Sequence, residues 1–384
     1  DSKAVASNVR VAIRMRPLNS KENGMSASKV VRMSSGKNVT VSQDGTGISE
    51  NSFSYDFCFD ASEDEGSDSA GSQKVVFEKL GMEVLAHAWH GYNACLFAYG
   101  QTGSGKSYSM MGTANDTGII PRVCRALFYM IIRQTEEHSS VSAGAEKRGF
   151  SVEASYLEIY NENIRDLLDP ARVNLKVREH PTTGVFVENL SSCAVECYKD
   201  VEDLLEMGLE QRTTAATNMN RESSRSHSVF TLSIRSYPLA GHGGDGDKKK
   251  NVRLSRLRLV DLAGSERASS TGATGARLRE GANINKSLST LGRCISALAK
   301  IAASGGIVPF RESILTWLLR ESLCGNAKTS MLATISPAHV YLNETLSTLR
   351  YAYSAKQIST QAVVNDDPTA KIINDLRGEV VRLR

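Results

Sequence analysis

The chain opens with "NVRVAIRMRP", in which Val9, Val11, Ile13 and Met15 alternate with basic residues as far as Pro17; this predicts a strand running into a turn. A long acidic loop, "DASEDEGSDSAGS", separates the next strands from a helix whose Val76, Leu80, Val84 and Ala88 recur at helical spacing. The apolar run "CLFAY" leads directly into "GQTGSGKS", a strand followed by a glycine loop and then a helix. Further on, the apolar "RLRLV" ends in "DLAGSE", and the Gly-rich "AGHGGDGDKKK" before it reads as a polar insertion. Strands and helices alternate throughout. That pattern predicts an α/β layer fold with a mostly parallel central sheet and helices on both faces.

A second helix carries Ile284, Leu288, Leu291, Ile295, Leu298 and Ala302 at spacings of four and three, which makes one buried stripe. Lys286, Arg293 and Lys300 recur every seventh residue about 200° around from that stripe, so a basic face points away from the core. Arg267, Arg277, Arg279 and Arg311 add positive charge nearby in sequence. At the end of the chain, Asp367 and Pro368 suit an N-cap and first helical position, and Ile373, Leu376, Val380 and Leu383 follow. Two heptads fit both a short docked helix and the start of a coiled coil.

Composition narrows the class. The chain has 384 residues, enough for a sizeable core, and its formal charge of +4 is too small to mark a nucleic-acid binder. The basic residues show no interleaved aromatic stacking pattern, so nucleic acid is not expected as a partner. No apolar run approaches the roughly 20 residues of a membrane span. The start "DSKAVASNVR" lacks a signal-peptide core, and a soluble cytoplasmic protein is expected. The seven cysteines are scattered, without zinc or redox spacing, and read as reduced thiols.

Gly100, Gly105, Lys106 and Ser107 match the pattern G-x-x-x-x-G-K-[ST]. In such a loop, running here through Gln101, Thr102, Gly103 and Ser104, backbone N–H groups point at phosphate oxygens and the following helix adds its positive end. Lys106 is expected to reach the β- and γ-phosphates, and the Ser107 hydroxyl to ligate Mg²⁺. Asp261 closes an apolar strand, where a carboxylate holds the metal through water, and Gly264 lies three residues on, where a backbone N–H can meet a γ-phosphate. The loop "NMNRESSRSH" offers Ser223 and Ser224 to metal and attacking water, and Arg225 as a partner for Glu266. No N-K-x-D loop for guanine is present, since "NKSL" lacks the aspartate; ATP is therefore expected, with Pro17 and Tyr108 flanking the adenine.

The quartet "RMRP", "GQTGSGKS", "NRESSRSH" and "DLAGSE" resembles the adenine, phosphate-loop, switch I and switch II motifs of the kinesin motor domain, in that family's order. The similarity runs from about Val9 to the chain end, and "GKSYSMMG", "LKVREHP", "RTTAATNMN" and "VVNDDPTAKIINDL" are most similar to the third kinesin subfamily, N-terminal motors for vesicle and organelle transport. The resemblance implies a microtubule-stimulated ATPase moving toward the plus end, with an eight-stranded sheet between two groups of three helices. It implies adenine contacts from Arg14, Arg16 and Pro17 with Tyr108 across the base, phosphate and magnesium contacts from residues 101–107, and metal ligation by Ser107, Ser224 and Asp261. Arg225 and Glu266 would shut the site while Gly264 senses the γ-phosphate. The basic residues of the second helix and its surroundings would meet tubulin.

By the same resemblance residues 1–357 form the motor, 358–367 a neck linker and 368–384 a neck helix, which leaves a homodimer open and puts cargo or adaptor binding in an absent tail. One departure stands out: the family's lysine-rich insertion is replaced by "KIAASGGIVPF", whose only lysine is Lys300, which implies a weaker hold on the track. An ATP-gated microtubule-binding protein that does not walk is the alternative.

Overall fold

The computed structural model describes residues 5–42, 50–61, 70–137, 148–181, 184–217, 223–238, 252–266, 276–304 and 306–365. Ten strands make the central sheet: β1 (Arg10–Met15), β2 (Phe57–Asp60), β3 (Ala94–Tyr99), β4 (Arg148–Tyr160), β5 (Asn163–Asp166), β6 (Val173–Leu175), β7 (Cys193–Val195), β8 (His227–Pro238), β9 (Arg253–Asp261) and β10 (Lys328–Ile335). Their order is β6-β5-β4-β8-β9-β3-β10-β1-β2, and β7 pairs with β4 off that path. Eight strands run from β5 to β2, and the three-residue β6 and β7 extend one margin.

The sheet is mixed rather than mostly parallel. β9, β3, β10, β1 and β2 pair in parallel, whereas β4, β5, β8 and β9 meet antiparallel neighbours. A physical reason is visible between β4 and β5: Tyr160 pairs with Asn163 across Asn161 and Glu162, at φ 52° and 56°. Two consecutive left-handed residues make the tight turn that matches strand twist and forces an antiparallel return. Parallel neighbours instead need helical crossovers; the glycine loop follows β3, at the start of a helical connection to β4, with β9 and β8 between the two strands in the sheet.

Period-2 alternation divides the core into two layers. Val11, Ile13, Met15, Cys95, Phe97 and Tyr99 face one side, with helices α5 (Ala276–Ser304), α6 (Ile314–Leu318) and α7 (Leu342–Lys356). Ala12, Ala94, Leu96 and Ala98 face the other, with α1 (residues 73–89), α3 (Ile119–Glu137) and α4 (Tyr198–Thr217). The short α2 (Lys106–Met110) opens at the glycine loop. The expected stripe of α5 is observed: Leu288, Leu291 and Ile295 are buried and Leu298 packs against them, while Lys286, Arg293 and Lys300 are exposed. The side chains of Ile284 and Ala302 lie outside the described residues.

The strand predicted for the first residues is preceded by another, Val5–Asn8, which pairs antiparallel with Ser359–Ala362 just after α7. The chain then runs on to Asn365, whose N–H donates to Gly91 O at 2.9 Å. Asn326 holds this exit segment: its Oδ1 accepts from Val363 N and its Nδ2 donates to Asn365 Oδ1, both at 2.6 Å. The residues expected to start a neck helix, from Asp367 to Leu383, lie outside the described residues, as do Arg267 and the "DKKK" segment. No helix among the described residues is long and apolar enough to cross a membrane.

Candidate functional site

β3 is apolar and buried along its whole length, and it ends where Gly100 takes φ 150°. A Cβ there would collide with Thr334 O on the neighbouring strand, so only glycine passes. Gly103 and Gly105 follow at φ 73° and 105°, and Gly105 caps α2 in the left-handed region. Ser104 Oγ donates to Gln101 O at 2.7 Å and lies 2.6 Å from Thr334 Oγ1, which ties the loop to β10. Lys106 is buried, and its Nζ donates to Gly100 O and Gln101 O at 2.8 and 2.9 Å. Burial pulls its pKa down, while the charges of Asp261 and Glu266 pull it up. A buried cation at a helix start suits anionic oxygens.

A cavity of about 1000 Å³ opens over this loop, lined by Arg14, Pro17, Tyr108 and Ser224 among others. Arg14 is buried, and its guanidinium donates to Gly71 O, Gln73 Oε1 and Ser109 Oγ, with its carbon 5.2 Å from the Tyr108 ring centre. Most of its donors thus bind protein, and its face meets the Tyr108 ring. Tyr108 Oη donates to Asp116 Oδ2 at 2.8 Å, and Arg122 holds the other oxygen of that carboxylate at 3.2 Å. Asp116 was not singled out from sequence, and nothing about a lone Asp in "TANDTG" would single it out.

Arg16 also lines the cavity, but as a brace. Its Nε donates to Gly103 O at 2.6 Å, its Nη1 to Pro17 O at 2.7 Å, and both terminal nitrogens to the two Glu22 oxygens at 2.6 Å. Glu22 is buried and accepts in addition from Asn19 N at 2.8 Å and Ser336 Oγ at 2.7 Å. Burial alone would raise its pKa; the bonds from Arg16, Asn19 and Ser336 outweigh that and lower it to about 2. The signal for this residue is present in the sequence: Asn19 to Glu22 is a capping box at the start of helix Ser20–Gly24.

At the start of α2, Ser107 Oγ donates to Asp261 Oδ2 at 2.6 Å, and Asp261 Oδ1 is buried with no hydrogen-bond partner. A buried carboxylate oxygen beside a serine hydroxyl fits the water shell of a hard divalent cation. Gly264 N donates to Ser224 O at 2.8 Å and Ser265 N to Gly100 O at 3.1 Å, so the segment after β9 is laced to both the serine turn and the glycine loop. The two oxygens of Glu266 accept from Thr102 N, at 2.8 Å, and from Thr102 Oγ1. Arg225 sits in the single 3₁₀ turn Ser223–Arg225 and is half-buried; the Ser223 side chain lies outside the described residues.

His227 follows that turn and heads β8. It is buried, its Nδ1 accepts from Ala263 N at 2.9 Å, and its Nε2 lies 2.7 Å from Ser287 Oγ on α5. Burial, reinforced by the charges of Lys106 and Arg212, lowers its pKa to about 3. The sequence motif contains this histidine, but its spacing does not show what it touches.

Of the basic residues expected to meet a track, Lys286, Arg293 and Lys300 share the exposed face of α5. Arg293 pairs with Glu312, and Arg311 donates to Glu179 Oε2 at 2.9 Å while lying over the Trp317 ring. Such exposed pairs exchange readily for other carboxylates. The side chains of Arg277 and Arg279 lie outside the described residues.

A family model for the kinesin motor domain matches residues 14–358, nine-tenths of the chain. The chain belongs to the kinesin motor domain family. Kinesin-like protein KIF13B of Homo sapiens is 51% identical over 98% of this chain and 21% of its own length. Kinesin-like protein unc-104 of Caenorhabditis elegans is 50% identical over 98% of this chain and 24% of its own length. This motor domain is most like the third kinesin subfamily, and it spans about a quarter or less of the curated relatives just named. Among solved structures, a KIF14 dimer with AMP-PNP in complex with a microtubule is 45% identical, with a TM-score of 0.84 over 97% of this chain and 100% of that one. A fast kinesin is 37% identical, with a TM-score of 0.81 over 94% of this chain and 95% of that one.

Proposed function

We propose that this motor domain hydrolyses ATP under stimulation by microtubules and uses the cycle to move along them toward the plus end, carrying intracellular cargo in the cytoplasm. The observation that carries the reading is physical continuity: Leu262 lines the phosphate cavity beside Asp261, which accepts from Ser107, and the next residue, Ala263, is hydrogen-bonded through His227 to the helix that presents Lys286, Arg293 and Lys300.

In this reading the Gly100 to Ser107 loop and Lys106 hold the phosphates, and Arg14, Pro17 and Tyr108 enclose the adenine. Ser107, Ser224 and Asp261 hold Mg²⁺, which when bound neutralises charge on the β- and γ-phosphates. Ser223 and Ser224 orient the attacking water, Gly264 donates its N–H to the γ-phosphate, and Arg225 exchanges onto Glu266 as the site closes. The work of the protein is positioning and electrostatic stabilisation. The basic face of α5, with Arg267, Arg277, Arg279 and Arg311, meets the acidic surface of tubulin. Residues 1–357 are the motor, 358–367 the neck linker and 368–384 a neck helix. The docked strand Ser359–Ala362 and its Asn326 latch favour a walking motor over a static binder.

The test is steady-state ATP turnover with and without polymerised microtubules at low and raised salt. A large stimulation that fades with salt is expected; a rate indifferent to microtubules refutes the reading.

A further inference from the structure

His227 is where three segments of the site converge, and its chemistry is determined by its neighbours. The Ala263 N–H is an obligatory donor at 2.9 Å, so Nδ1 of the ring carries no proton. A neutral imidazole then bears its proton on Nε2, which donates to Ser287 Oγ at 2.7 Å. Ala263 lies between Leu262, which lines the phosphate cavity, and Gly264, whose N–H is bonded to Ser224 O. Ser287 lies on α5 next to Lys286, yet it is 2% exposed and turned inward. His227 itself begins β8 one residue beyond the serine turn. The ring and both partners are buried, where a broken bond is costly to leave unmet, so a shift of residues 262–264 must carry the ring, and the ring must carry the helix.

We infer that His227, as the Nε2–H tautomer, is a positioning residue that couples the cavity wall to the track-facing helix through Ala263 and Ser287. The inference rests on the motor reading and adds to it the identity of the link. It requires the two contacts to act as one unit, with each useless when the other is cut.

The two ends can be cut separately. Ser287→Ala removes the acceptor on the helix and nothing from its exposed face. His227→Asn keeps an acceptor near the Nδ1 position for Ala263 but falls short of Ser287. For Ser287→Ala the expected result is nucleotide affinity and microtubule-free turnover within about threefold of the parent, and a stimulated rate reduced about tenfold. The ratio of microtubule affinities with AMP-PNP and with ADP narrows by a similar factor, and the double variant is no worse than His227→Asn alone. Imidazole nitrogen NMR, assigned by loss of the signal in His227→Asn, shows a proton on Nε2 only. Heat-unfolding curves identify variants that merely fail to fold.

Three results overturn the inference: a stimulated rate in Ser287→Ala equal to the parent's, basal and stimulated rates falling in equal proportion, or a ring protonated on Nδ1. If the parent's turnover ignores microtubules, the motor reading fails, and the link fails with it. A stimulated parent with an unaffected Ser287→Ala refutes the link alone.

Discussion

Replacing Glu22 by Gln tests whether the phosphate loop is braced from behind. The carboxylate is 1% exposed and its pKa stands at about 2 against an ordinary 4.5. That gap corresponds to about 3 kcal/mol of stability at neutral pH. A depressed carboxylate gives its full contribution above the unfolded value and loses it as pH falls through 4.5 toward 2. Glu22→Gln keeps the volume and an oxygen for Asn19 and Ser336, but it surrenders the charge that meets Arg16. Urea unfolding at pH 7 is expected to show a loss of about 3 kcal/mol, shrinking to about 2.5 kcal/mol at pH 4. Nucleotide retention should weaken as well, because Arg16 then loses the partner that aims it at Gly103 O. A loss below about 1 kcal/mol at pH 7, or a gap that widens on acidification, refutes the brace.

Gly264→Ala places a Cβ against Thr102 Oγ1 and the Glu266 carboxylate, so turnover should fall at least about a hundredfold while nucleotide still binds; near-normal turnover contradicts the role given to that glycine. Asn326→Ala removes two bonds to the exit segment, each worth about 1 kcal/mol, and amide exchange over 359–365 should accelerate about tenfold or more; unchanged exchange shows that the latch is idle. His87 and His227 stand at about 4 and about 3, both lowered by burial, so the unfolded chain binds more protons than the folded one below pH 6.5. Stability should therefore drop by about 2 to 3 kcal/mol between pH 7.5 and 5.5, and His87→Asn should remove about half of that dependence; a flat profile refutes it.

What was legible in the sequence follows from the range of each interaction. The Gly100 to Ser107 loop is a local device, since its glycines adopt backbone angles that other residues avoid, and the pattern alone places it between β3 and α2. The stripe and basic face of α5 were likewise readable from helical periodicity. Sheet direction was not: it depends on the two left-handed residues Asn161 and Glu162, neither of them the glycine that usually marks such a turn. Arg16 shows the other limit. Its motif suggests a nucleotide contact and it lines the cavity, but its tie to the loop through Glu22, held in turn by Ser336 from 314 positions away, has no local signal. The pairing of Val5–Asn8 with Ser359–Ala362 joins opposite ends of the described chain, beyond the reach of any local pattern.

In this motor domain the phosphate cavity and the basic face of α5 would act as one coupled device. The most direct measurement is microtubule affinity by cosedimentation, at fixed ionic strength, with AMP-PNP and with ADP bound. Coupling by linkage predicts affinities that differ by about tenfold or more, tighter with the triphosphate analogue. Equal affinities in the two states would contradict it.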